Sequence, residues 1–410
     1  MRFFVVLMLL LALPGTPWAQ ATHTAAPDGP SLTEVLRRAA PGDRIVVRAG
    51  VYREPTLVVD KPVVLDGEPG AVLDGEGERV ILRLAADRVT VRGLTFRDTG
   101  VTFVEDRAAL HVEEVGGCTI TGNRFEDTFF GIYLADVDGC TVTDNVLVGA
   151  GERESRSGNG IHLWYSTGVT VARNEVRRHR DGIYFEFVED SVVEGNLSEA
   201  NRRYGLHFMF SDRCRYLANT FRANGAGVAV MYSEHVAMNR NTFADNWGPA
   251  AFGLLLKEID DAEIVGNRFL RNTVGLFAES TDRVRIADND FVSNGWAIRV
   301  LASASGNRFT GNNFVGNSFD VGTNSRRSSS TFSGNYWDGY RGYDLDRDGT
   351  GDVPFRPVRL FALIVENHEP ALLLLRSLFV DLLDLAERVA PSLTPDTFAD
   401  AQPAMRLIPR

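Results

Sequence analysis

Soft sulfur and imidazole donors crowd one short stretch of this chain. His207 and Met209 stand two residues apart, and Met231 follows Met209 by 22. Thioether and imidazole together suit Cu(I), whereas Zn²⁺ would favour thiolate, imidazole and carboxylate. His162 and Glu186 precede them at similar intervals and complete a candidate copper set. A second set, Asp344, Asp346, Asp348, Gly349 and Asp352, spells D-x-D-x-D-G-x-x-D. That is the opening of a calcium loop, in which alternate oxygens converge and the glycine makes the sharp turn. The bidentate acid due at the twelfth position is missing, because Phe355 stands there. Both sets have plainer readings: methionines often serve as apolar contacts, and acidic turns often spend their carboxylates on backbone amides.

Which of these residues can meet depends on the elements that carry them. Asparagines recur at Asn123, Asn145, Asn174, Asn196, Asn219, Asn241, Asn267, Asn289, Asn312 and Asn335, mostly 22 or 23 apart, and a large apolar residue usually follows two places later. A unit that short cannot bury its own apolar face and must stack on its neighbours. Its β-branched residues and glycines argue for short strands and turns rather than helices. The expected fold is all-β, a right-handed parallel β-helix of about ten coils with an N-terminal capping helix and a C-terminal helical extension. The asparagines should form a turn ladder of amides bonded from coil to coil.

A column of glycines, among them Gly160, Gly182, Gly205 and Gly227, opens another strand in each coil. Pairs such as Ile161/Leu163 and Leu206/Phe208 then point inward by the two-residue period. Tyr133, His162, Tyr184 and His207 form one outward row; Trp164, Glu186, Met209 and Met231 form the next. Met231 should lie about 4.8 Å from Met209 on the neighbouring strand, and His207 roughly 6.6 Å along the same strand.

The N-terminus reads as an export signal. Arg2, the apolar run Phe3 to Leu13, Pro14-Gly15 and Ala19-Gln20-Ala21 predict removal of residues 1–21, with cleavage after Ala21. The run is too short to span a bilayer. Three cysteines are too few to hold a fold of this size. Cys118 and Cys140, one coil apart, could bridge or could be small buried hydrophobes. A net charge of −11 argues against nucleic acid and against anionic lipid.

Residues 22–115 read as an N-terminal cap and first coils, with a helix over Ser31 to Ala40 started by Ser31 and Glu34 as a capping box. Residues 116–340 are the regular coils, 341–357 the acidic loop and 358–410 a helix and tail. Two insertions, Gly149 to Ser157 and Asn246 to Ala251, should emerge at one corner. Pro370 to Ala390 is a helix too charged to cross a membrane. Its Leu374, Leu378, Phe379 and Leu382 offer a face for a partner, or for capping the last coil, and the tail beyond it reads as extended.

The same architecture hosts polysaccharide lyases, epimerases and hydrolases. Asp181, Glu186 and Asp190 are the acids such an enzyme would use, and Trp164, Tyr133 and Tyr184 would stack on sugar rings. The tripeptides GHG, DPH and RIK that mark such relatives do not occur, and no Ser-His-Asp or Cys-His arrangement is evident.

Gly334-Asn335-Tyr336-Trp337-Asp338-Gly339-Tyr340, continuing through Asp344-Leu345-Asp346-Arg347-Asp348-Gly349 to Pro357, resembles the signature of the NosD family. The coils GNGIHLWYS and RYGLHFMFSDRC, the export signal and the leucine-rich C-terminal helix are also similar. The resemblance implies a non-catalytic periplasmic accessory that receives copper from a lipoprotein chaperone. It would deliver that copper to the copper–sulfide centre of nitrous-oxide reductase. The resemblance also implies partnership with an ABC-type permease and its ATPase, with membrane contact only through that permease.

Overall fold

A computed structural model describes residues 20–410 except 103, 151–152 and 391–392. Of the expected export signal, residues 1–19 lie outside the described residues. The chain winds into a parallel β-solenoid whose three sheets hold 14, 12 and 13 strands. The wall is therefore about fourteen coils long, not ten. The early coils stack like the rest but lack the asparagine, so the asparagine count misses them. Phe96 already stacks on Phe125 at 4.9 Å.

Nearly every coil gives one strand of a few residues to each sheet, and each coil sits in register on the next. Ile161, Leu163, Ile183, Phe185, Leu206 and Phe208 are fully buried, as the alternation requires. The large residue after each asparagine builds an interior column of rings. Phe243, Phe269, Phe291, Phe314 and Trp337 stack at 4.7, 4.6, 5.1 and 4.0 Å. Each such pair adds about 0.5–1.5 kcal/mol beyond the area it buries.

The expected amide ladder is present. Asn145 Oδ1 accepts from the backbone N–H and Nδ2 of Asn123 at 2.9 and 3.1 Å, and the pattern runs on to Asn335. A second ladder, unexpected, joins Asn201, Asn224, Asn246, Asn272, Asn294 and Asn317. Both spend side-chain amides on turn backbone groups that no sheet can satisfy.

The ends are closed by the chain itself. Helix α1 (Leu32–Arg38) lies over the first open end, with Ser31 Oγ accepting from Glu34 N–H at 3.2 Å. The Glu34 carboxylate pairs with Arg38 rather than reaching back to Ser31, so only half of the capping box forms. At the far end the expected single helix is broken. A further helix, α2 (Leu360–Asn367), precedes the span and stops ahead of Pro370, which lacks an N–H to continue it. The span 370–390 itself holds a 3₁₀ turn (Glu369–Leu374) and helix α3 (Leu378–Val389).

The tail is not a free extended segment either. Asp400, fully buried, accepts from Asn335 N–H and Nδ2 at 3.0 and 2.9 Å and from Trp337 Nε1–H at 3.0 Å. It takes the place of the next asparagine and ends the ladder. Arg410 reaches back to Asp290 at 2.9 Å.

Cys118 and Cys140 are bridged, with Cα atoms 4.6 Å apart. Adjacent coils in register put them within disulfide reach, so they are not merely small buried hydrophobes. No helix among the described residues is long and apolar enough to cross a membrane.

Candidate functional site

The glycine-opened strands form the 12-stranded sheet, called here the front sheet. Its register places His162 beside Tyr184, Tyr184 beside His207, Glu186 beside Met209 and Met209 beside Met231. Glu186, Met209 and Met231 therefore share one row on three successive strands, and His207 lies two residues from Met209 on strand Tyr204–Met209. This much of the candidate copper set comes together.

His162 does not join it. Its ring is sandwiched between Tyr133 and Tyr184 at 4.5 and 4.7 Å, and Asn159 Nδ2 lies 3.0 Å from its Nδ1. Burial pushes its pKa down to about 3. Tyr184 stands between it and His207, so it is two strands, about 9.6 Å, from the latter. His162 is a rung of a stack that begins with His111 on Tyr133 at 5.1 Å. This row was expected to face solvent, yet Tyr133, Tyr184 and His207 are each less than a tenth exposed. Phe130 packs edge-on against Tyr133 and His162, and Tyr204 leans on His207, which accounts for the covering.

His207 is oriented from behind. Its Nδ1 lies 3.3 Å from Arg203 Nη2 and 3.7 Å from Asp181 Oδ2. Asp181 is fully buried and accepts from Arg203 Nε at 2.9 Å and from Tyr204 N–H at 3.2 Å. Burial alone would raise the Asp181 pKa, but the bonds from His207 and Arg203 outweigh it and hold the carboxyl below its usual range. The aspartate therefore stays ionised. Nδ1 is occupied, so Nε2 is the nitrogen left for an outside ligand.

The acids of the carbohydrate alternative are already engaged. Asp181 is locked on Arg203, Asp190 on Arg213 at 2.9 Å, and Glu186 accepts from Tyr184 O–H at 3.2 Å. Tyr133 and Tyr184 spend their faces on His162 and cannot stack on a sugar; of the three proposed rings only Trp164 is open.

Asp344, Asp346 and Asp348 do converge, their carboxylates lying within 4.8 Å of one another. Asp352 accepts from Leu345 N–H at 2.7 Å instead. Asp344 accepts from Gly349 N–H at 3.0 Å and Asp348 from Thr350 N–H at 2.7 Å, so the plainer acidic-turn reading also describes what is seen.

Leu374, Leu378, Phe379 and Leu382 are all exposed, together with Leu385 and Val389. The opposite side of the helical segment, Ala371, Leu375, Val380 and Leu383, packs toward the front sheet through α2. The insertions leave the solenoid at one corner, as expected: residues 150–160 and 245–251 each run into a front-sheet strand, residues 151–152 lying outside the described ones.

One element of the surface was missed. Tyr165, Phe187, Phe210 and Tyr232 follow the Trp164–Met231 row by one residue. They stack at 4.6, 5.1 and 4.9 Å in the open. Their signal in the sequence is an aromatic five places after each of four successive glycines, Gly160, Gly182, Gly205 and Gly227.

The fold defines the class first: a parallel β-solenoid shared with proteins of very different roles. The A-module of an Azotobacter vinelandii mannuronan C-5 epimerase superposes with a TM-score of 0.62 at 15% identity, covering 74% of this chain and 92% of that one. PfbA, a surface adhesin of Streptococcus pneumoniae, gives 0.55 at 11%, covering 74% and 87%. The sequence is more particular. Residues 149–342 match the family model described as "Periplasmic copper-binding protein (NosD)". A Pseudomonas aeruginosa protein named "Probable ABC transporter binding protein NosD" is 32% identical over 90% of each chain. Its Stutzerimonas stutzeri namesake is 29% identical over 99% of this chain and 95% of that one. The chain belongs to the NosD family.

Proposed function

We propose that this protein is a non-catalytic periplasmic accessory. In this reading it carries copper toward the copper–sulfide centre of nitrous-oxide reductase, working with an ABC-type permease, its ATPase and a copper-chaperone lipoprotein. The observation that carries it is the row of Met209 and Met231 on paired strands, flanked by Glu186 and His207. Two thioethers about 4.8 Å apart at the backbone, with an imidazole beside them, match the donor softness that Cu(I) prefers. The names of the family and of its relatives, copper binding and transporter binding, support the same reading.

His207 is the adjustable member. A bond from Arg203 to Nδ1 leaves the ring proton on Nε2, whereas an Nδ1–H turned to Asp181 frees the Nε2 lone pair. A cation arriving at Met209 selects the second tautomer, and the buried carboxylate then orients the ligating ring. Copper is cargo here, so a few soft donors near the surface suit transfer better than a closed cage.

The exposed row Leu374, Leu378, Phe379 and Leu382 is assigned to the permease, and export by the N-terminal signal, cleaved after Ala21, places the chain in the periplasm. Asp344, Asp346 and Asp348 are assigned a structural Ca²⁺ clip beside the closing tail; a chelator that leaves the thermal midpoint unchanged would remove that assignment. Truncation at Pro370 cannot test docking, because it also deletes Asp400. Leu378→Asp with Leu382→Asp is the cleaner probe, and continued co-purification with the permease would sink the assignment. The copper reading is tested by Cu(I) competition titration of the full chain against Met209→Leu/Met231→Leu, which keeps side-chain volume. Affinity should fall at least tenfold, and an unchanged affinity would refute the site.

A further inference from the structure

Four aromatic side chains occupy a position that ought to reject them. Tyr165, Phe187, Phe210 and Tyr232 have φ of 45°, 55°, 50° and 55°, a left-handed conformation that bulky residues avoid. In flanking coils the equivalent position is held by Asp136, Glu258 and Ser280 at similar φ, polar residues that suit a left-handed position near solvent. Three of the four are exposed, Tyr165 52%, Phe210 40% and Tyr232 37%, and Phe187 between them is half-buried. They fill no core and pack on one another at the surface; four successive aromatics at a position the fold makes left-handed in flanking coils as well point to a function.

Their geometry narrows what they meet. Successive rings are nearly parallel, with interplanar angles of 22°, 10° and 12°. The inner faces are spent on each other, and edges form the ridge. A ridge of edges cannot stack on planar sugars or bases, but it can pack against aliphatic side chains. Met209 and Met231 continue the apolar surface on one side.

Charge narrows it further. At the Tyr232 end lies an open hollow of about 250 Å³ walled by Asp212, Glu234, Glu258 and Asp260. Asp212 accepts from Glu234 N–H at 2.8 Å, and Asp260 stands 3.9 Å from Arg283; Glu258 has no ion-pair partner among the described residues. Anionic lipid would be repelled. So would a second copy that met it hollow to hollow.

We infer that this ridge docks a segment of a partner protein in which aliphatic side chains or methionines lie next to lysine or arginine. The aliphatic groups pack along the ring edges, and the cations enter the acidic hollow, with Tyr232 available as a cation–π partner. The inference does not require copper at Met209 and Met231, and it survives if that site fails.

The test is a random-peptide phage library panned on the full chain and counter-selected on Tyr165→Ser/Phe187→Ser/Phe210→Ser/Tyr232→Ser, serine being the residue found at the equivalent Ser280. Ridge-dependent peptides should be enriched in Leu, Met and Ile with Lys or Arg. A synthetic copy of the leading peptide should bind at least tenfold more weakly to Phe187→Ser/Phe210→Ser and to Glu258→Lys/Asp260→Lys. The charge reversal keeps the test valid if the serine variants fail to fold. No ridge-dependent peptide, an acidic or uncharged consensus, or equal binding to the folded variants would overturn the inference. So would vesicles of anionic phospholipid, or dimers of the chain, that are released by the same substitutions.

Discussion

The outer face of the front sheet is apolar at both ends of one run of strands, but only one half is sealed. In the last coils Phe252, Phe277, Trp296 and Phe319 lie beneath Phe361, Ala362 and Val365 of α2. Arg299 bridges to Glu366 at 2.6 Å over the rings of Phe277 and Trp296. In the middle coils Trp164, Phe210 and Tyr232 have no such cover. The chain has helical material enough to cover an apolar outer face and places it only at the C-terminal end. The open half is thus uncovered by the described residues of this chain, whereas the helices over the sealed half show Leu378 and Leu382 outward.

Removing the seal should cost the most. Asp400→Ala takes away the acceptor of three buried N–H groups at Asn335 and Trp337. Each orphaned donor costs about 1–3 kcal/mol, so a loss of at least about 3 kcal/mol in urea unfolding is expected, with the last coils exchanging amide hydrogens first. Phe361→Ala should cost about 3 kcal/mol and raise binding of a hydrophobic dye, because Phe319 and Trp296 lose their cover.

A smaller effect depends on pH. Burial, with the nearby Asp338 charge adding to it, pushes the Asp320 pKa up to about 7. An acid with a raised folded pKa contributes full stability below its unfolded value near 4. That contribution is lost as pH rises to about 7. Asp320→Asn should therefore leave the thermal midpoint unchanged near pH 4 and raise it at pH 8; a gain at pH 4 instead would contradict the assignment. The open half should be nearly indifferent to truncation: Phe210→Asn removes an exposed ring from a left-handed turn that asparagine tolerates. It should change stability by less than about 1 kcal/mol, and a loss as large as that of Phe361→Ala would erase the distinction between the halves.

The solenoid was legible because ten asparagines keep one period, and an in-register solenoid turns a period directly into neighbours. That is why the Glu186, Met209 and Met231 row could be read before any coordinate. His162 was misplaced because the row already set it two strands from His207, and the period does not tell that neighbouring tyrosines will enclose its ring. The aromatic ridge was overlooked for a different reason. Alternation arguments hold only while the backbone stays extended, and Tyr165, Phe187, Phe210 and Tyr232 sit where it turns left-handed, a conformation in which propensity expects Asn, Asp or Gly. The closing role of Asp400 depends on a return of 65 residues to Asn335, which no local pattern encodes.

In the proposed function Met209 and Met231 meet one copper ion. X-ray absorption on the Cu(I)-loaded full chain tests it most directly. Two sulfur scatterers and one imidazole nitrogen are predicted, with the sulfur shell lost in Met209→Leu/Met231→Leu. A shell of nitrogen and oxygen alone, or a sulfur shell that survives that substitution, would contradict it.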